Sequence, residues 1–228
     1  MASPDEFTGP ATELLQSLIR NACVNDGSPE SGEEVRNADV LQTFLEGTGL
    51  DVERYTAAPG RDSLVCRIEG TDPDAPSLCL MGHTDVVPVN RDGWSRDPFD
   101  AGIRDGRIYG LGTADMKSFL AVALLAASQF RSSQLKAPLT ILGTADEEST
   151  MSGARALAET GGPLGRFAVI GEPTDLRPVN AHKGIVMEGI RLTGQSGHSS
   201  NPAPSSISTN LGTMIPAIRS PSDRIQTR

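Results

Sequence analysis

No apolar run in this 228-residue chain reaches the roughly 18 to 20 residues that a membrane-spanning helix requires. The first residues, MASPDEFTGP, lack the basic stretch and apolar core of a secretion signal, so a soluble cytoplasmic protein is expected. Lysine and arginine total 20 against 29 aspartates and glutamates, a net charge of −9, and no basic block stands out. That balance disfavours a phosphate-backbone partner, so neither nucleic acid nor a membrane is expected to bind. Cysteine is scarce. Cys23, Cys66 and Cys79 are odd in number and lie in or beside apolar runs, which suits buried reduced thiols better than disulfides or a cysteine-rich zinc site. Internal repeats and low-complexity segments are absent too. Hydrophobic residues, at 37%, are sufficient for a core.

Ala11 to Ala22 and Glu33 to Glu46 carry leucines at helical spacing on either side of the turn-rich NDGSPESGE, so two amphipathic helices open the fold. Ser63 to Ile68 and Ser77 to Met81 read as strands. A loop of Gly, Asp, Arg and Pro follows, then an Ala/Leu/Val-rich helix from Met116 to Phe130 directly behind Asp115. Leu139 to Ala145 reads as a strand, Ser152 to Glu159 as a short helix and Phe167 to Ile170 as another strand. This rhythm implies an α/β fold, a mainly parallel mixed sheet with helices on both faces. From Gly184 the pattern changes to a half-exposed strand, the loop QSGHSSNPAPSS and a helical stretch, Ile207 to Ile218, that Pro216 should kink. The expected division is therefore a catalytic domain over residues 1–182 and the start of a smaller α+β lid domain over 183–228.

Acidic residues stand at the outlets of the apolar runs: LCLMGHTD ends at Asp85, LTILGTADEE at Glu148 and FAVIGE at Glu172, with Asp115 in YGLGTADMK. In an open α/β sheet, side chains just past the strands' carboxyl ends converge on one crevice. Gathered there, carboxylates repel one another unless a cation or protons compensate, and His with Asp or Glu suits a divalent metal. His83 and Asp85, two apart on an extended strand end, lean to the same side, so one can ligate while the other steadies it. Alone, HTD reads equally as a backbone-satisfied histidine and a turn-capping aspartate. Asp115 suits a carboxylate bridging two ions, or an N-cap. Glu147 and Glu148, being neighbours, point in different directions, so one can bind metal while the other faces substrate; the bland alternative is an acidic first helical turn. A metal-adjacent free carboxylate can take a proton from water and return it to a leaving amine. Glu172 could otherwise be a turn carboxylate. His182 suits a structural role. His198, in a loop of small polar residues, suits donation to a substrate carboxylate or developing oxyanion.

MGHTDVVP, YGLGTADMK, TADEESTMSGAR, IGEPTDLRPV, AHKG and GQSGHSSNPA, in this order and spacing, resemble the metal-dependent amidohydrolases and exopeptidases related to aminoacylase, carboxypeptidase and succinyl-diaminopimelate desuccinylase, acetylornithine deacetylases above all. The resemblance runs from about Leu78 to about Pro204. It implies a zinc exopeptidase-like fold with two divalent ions, zinc as first choice and cobalt or manganese as alternatives. By resemblance His83, Asp115, Glu148 and Glu172 are metal ligands, Asp115 bridging. Glu147 is the general base, Asp85 orients His83, and His198 reaches substrate from the lid. The implied reaction is deacylation of an N-acyl amino acid, N-acetylornithine first, in arginine biosynthesis, by a homodimer if the lid is complete. A desuccinylase or dipeptidase of the same group is the alternative, and an inactive truncated fragment the rival. The motif departs from the group at Ser118, where glycine usually follows DMK. The group also carries a further metal-binding histidine in a returning segment, which nothing in this sequence matches, so the chain is expected to be truncated.

Overall fold

A computed structural model describes residues 4–160, 164–181, 183 and 184 of the chain. Up to Pro178 these belong to one compact unit. His182, His198 and the expected lid beyond Gly184 lie outside the described residues.

The first helix, α1 (Pro4–Arg20), starts ahead of Pro10 rather than at Ala11, and stops at Arg20 because Ala22 and Cys23 turn left-handed, with φ of 60° and 55°. Leu14, Leu15, Leu18 and Ile19 form its buried stripe. In α2 (Val35–Leu45) the buried apolar residues are Ala38, Leu41 and Leu45. The next strand, β1 (Asp51–Ala58), was not anticipated: its positions are exposed or half-buried, and DVERYTAA has no apolar face to betray it. Gly60, with φ of 76°, turns the chain into β2 (Arg61–Ile68). After β3 (Leu78–His83), the stretch expected to be loop holds a hairpin, β4 (Gly102–Arg104) and β5 (Arg107–Tyr109), closed by Asp105 and Gly106 with φ of 50° and 71°. Then come α3 (Ser118–Ser128), β6 (Leu139–Thr144), α4 (Ser152–Thr160) and β7 (Phe167–Ile170). The buried helix begins at Ser118, not Met116, because Asp115 and Met116 have non-helical backbone inside a wide turn spanning Thr113–Lys117.

The main sheet has the order β1-β2-β6-β3-β7. The β1–β2 and β2–β6 pairs are antiparallel, β6–β3 and β3–β7 parallel, so the expected mixed sheet is present with its parallel pairing confined to one half. Side chains alternate across it as a strand's two-residue period requires. Leu64, Cys66, Ile68, Leu80, Leu139 and Ile141 pack in the cluster that holds α1, α2 and α3, whereas Val65, Cys79, Met81 and Leu142 pack with Leu157 of α4. Helices thus cover both faces, as the near-continuous apolar runs implied. No described helix is long and apolar enough to cross a membrane.

Candidate metal centre

Because β6, β3 and β7 run parallel, their carboxyl ends emerge along one edge. His83, the last residue of β3, is level with Thr144 of β6, and Met81 is level with Ile170 of β7. Glu147 and Glu148 therefore follow β6, and Glu172 follows β7, into the space beside His83. Asp115 arrives from the turn before α3. Two glycines permit this closeness: a Cβ on Gly82 would lie 2.7 Å from Met116 Cε, and one on Gly171 would lie 2.0 Å from the Phe119 ring. The turn is further tied down by Lys117, fully buried, whose Nζ donates to the carbonyls of Leu18 at 3.1 Å and Ala22 at 2.9 Å, just past the end of α1. Burial pulls that ammonium down to about 8.

The two nitrogens of His83 face different groups. Nδ1 lies 3.1 Å from the Asp85 carbonyl oxygen and 3.5 Å from Asp85 Oδ1, while Nε2 lies 3.1 Å from Asp115 Oδ1 and 3.8 Å from Glu172 Oε1. One oxygen each of Asp115 and Glu148 lies with a His83 nitrogen inside 4.8 Å, and so do oxygens of Glu147 and Glu172. The structure thus brings together every expected ligand and the expected base, and it brings Glu147 as near as the rest. Asp85 does more than face the ring: its Oδ1 accepts the Glu147 amide at 3.2 Å and its Oδ2 the Glu148 amide at 3.1 Å. It is fully buried, Asp115 is 55% exposed and Glu172 39%, so the cluster has a closed floor and an open mouth.

These donors fit divalent cations: one imidazole nitrogen, several carboxylates, and a histidine ring fixed through its other nitrogen. Electrostatics points the same way. Burial opposes a charged His83, yet the hydrogen bond and charge of Asp85, with the charges of Glu147 and Glu148, overcome it and push the ring up to about 9. Burial, joined by the negative charges of Asp115, Asp85 and Glu147, pushes the Glu148 carboxyl up to about 7. Burial likewise raises Glu172, with Asp115 and Glu147 adding to the shift.

Beneath the cluster lies a polar layer that the sequence reading missed. Asn25, Glu34, Arg61 and Asp146 are all buried. Arg61 pairs with Glu34 at 2.7 Å, and Asp146 accepts from Asn25, Ser149, Thr150 and the Ser152 amide. Burial would raise the Asp146 carboxyl, but those hydrogen bonds hold it far below the usual range. A signal existed in Asp146 itself, a third acid beside Glu147 and Glu148. For Asn25, inside NDGSPESGE, turn composition concealed the role.

Among solved structures the chain is similar to human carnosine dipeptidase 1, with 26% identity, 68% of this chain and 35% of that one covered, and a TM-score of 0.53. It shares a fold with a metallo-carboxypeptidase from Sulfolobus solfataricus, at 22% identity, TM-score 0.52 and coverage of 60% and 31%. The same holds for the dipeptidase Dug1p from Saccharomyces cerevisiae, at 22% identity, TM-score 0.51 and coverage of 68% and 35%. The matched region spans about a third of each relative's length. A family model matches residues 79–215, more than half of the chain and including every residue gathered around His83. The chain belongs to peptidase family M20/M25/M40.

Proposed function

We propose that this chain carries the catalytic centre of a two-metal amidohydrolase that deacylates an N-acyl amino acid, with N-acetylornithine as the first substrate to test and arginine biosynthesis as its setting. The observation that carries the reading is the convergence of His83, Asp115, Glu147, Glu148 and Glu172 at the outlets of the parallel strands. In the proposed assignment His83, Asp115, Glu148 and Glu172 would hold the ions. Bound zinc, or cobalt or manganese, supplies Lewis acidity, which polarises an amide carbonyl and acidifies water. Glu147 would take a proton from the attacking water on a carboxylate oxygen and return it to the departing amine. Asp85 holds His83 through Nδ1, leaving Nε2 for the metal. His198 is assigned to the substrate's oxyanion, as part of a lid and a homodimer. The protein is proposed to be cytoplasmic, with no nucleic-acid or membrane partner.

A second reading, cleavage of a dipeptide, draws support from the likeness to human carnosine dipeptidase 1. Both are tested by one assay: purified chain, supplied with zinc, cobalt or manganese, against N-acetylornithine, N-succinyl-diaminopimelate and a dipeptide. Fastest turnover of N-acetylornithine supports the first reading and of the dipeptide the second. No turnover with any metal defeats the enzymatic reading for this chain. In an active chain Glu147→Ala keeps the metal and loses about 10²- to 10⁴-fold in kcat, whereas Asp115→Ala loses metal as well. Normal rates in Glu147→Ala would remove Glu147 as the base.

A further inference from the structure

Asn25 is 2% exposed and lies beyond the end of α1, held by a bridge in which its amide donates to the Val86 carbonyl at 2.8 Å and Val86 donates to Cys23. Its carboxamide uses both ends. Nδ2 donates to Asp85 Oδ2 at 2.8 Å and to Asp146 Oδ1 at 2.9 Å. Oδ1 accepts from the Gly27 amide at 3.1 Å and the Arg61 guanidinium at 3.3 Å. The partners settle which end is which: two carboxylates need donors, while a backbone amide and a guanidinium need an acceptor. Of the residues of this size, only an amide serves both sides, and aspartate would bring a third carboxylate against two.

The two carboxylates so joined are those that frame Glu147 and Glu148. Asp85 accepts both of their backbone amides, and Asp146 immediately precedes them while binding the amide of Ser152 beyond. We infer that Asn25 is a positioning residue: by tying Asp85 to Asp146 it fixes the backbone of Glu147 and Glu148, and hence where their carboxylates stand relative to His83. It touches neither substrate nor metal. The inference rests on the proposed roles of Glu147 and Glu148 for its consequence, but not for its test.

Asn25→Asp keeps the accepting oxygen and the size, loses the two donated bonds and sets a third carboxylate against Asp85 and Asp146. Amide hydrogen exchange by NMR on the metal-free chain then compares Glu147 and Glu148 with Ile141 and Leu142 in β6. The expected result is that the two glutamate amides exchange about tenfold faster or more, while the strand amides hold, as local opening without global loss requires. Should Asn25→Asp not fold, Asn25→Ala, which adds no charge, is read in the same way. Zinc affinity of the variant falls about 10- to 100-fold, the size seen when a residue supporting metal ligands is removed. Glutamate amides that keep their protection, or lose it only in step with Ile141 and Leu142, overturn the inference. The exchange readout needs no turnover, so a chain that hydrolyses nothing still decides it.

Discussion

His83 and Glu148 share a direction of titration that makes the metal-free chain sensitive to alkali. Both have folded pKa values above their ordinary ones, about 9 for His83 and about 7 for Glu148, so the folded state holds more protons than the unfolded one. These two groups make stability fall as pH rises from about 4.5 to 9, opposed above about 8 by Lys117, whose folded value lies below its ordinary one. Asp85 and Asp146 are shifted the other way, so their contribution is present above the ordinary aspartate range and is lost as pH drops below it. In the proposed assignment metal would displace the protons on His83 and Glu148, so zinc binding is expected to release protons and to tighten as pH rises toward about 9. Calorimetric zinc titrations in buffers of different ionisation enthalpy check this; affinity that is flat or falling with pH would contradict it. HTD and EE were legible because each acid follows an apolar run that ends it at the same edge. Asn25 was not, since its partners stand 60 and 121 residues away and nothing local announces them. The cysteines read correctly as buried thiols, and burial pushes Cys23 up to about 11 and Cys66 up to about 12.

Elements were legible where burial is one-sided or complete, and illegible where it is slight. The apolar strands β3 and β6 and the Ala/Leu-rich α3 appeared in the composition, because sheet interiors and buried helices leave little room for polar residues. β1 sits at the sheet edge with no fully buried position, and β4 and β5 are three residues each, too short for a period. Asp105-Gly106 was a readable hairpin signal. On the far face of the sheet, α4 is anchored through Leu157, 2% exposed, against Val65, Cys79 and Leu142. Leu157→Ala is expected to cost about 2–5 kcal/mol in chemical denaturation, the usual range for a buried leucine. A loss under about 1 kcal/mol would mean that α4 is not held by this contact. At the other end of the sheet, Gly171→Ala sets a methyl into the Phe119 ring and must displace the chain carrying Glu172. Zinc affinity is expected to fall more than in Gly143→Ala, where a Cβ meets nothing nearer than 3.3 Å. Equal affinities would show that Glu172 does not depend on this packing.

Across the molecule, one geometric fact joins sequence to chemistry: parallel strands with acidic outlets make a common floor, and α3 closes one side of it. The mixed sheet and the family were both foreseeable from the ordered motifs, while the extent of the antiparallel half was not, because β1 lacks an apolar signature and nothing in β2 or β6 marks their relative direction. Metal that binds only the folded state must stabilise it, by about 2.7 kcal/mol at a hundred times Kd. The central claim, that His83, Asp115, Glu148 and Glu172 hold divalent cations, is tested most directly by anomalous diffraction from a zinc-soaked crystal of the chain. Zinc density is expected bounded by those four side chains, with Glu147 alongside and Asp85 behind His83. Zinc density elsewhere, or none at this edge of the sheet at saturating metal, would contradict it.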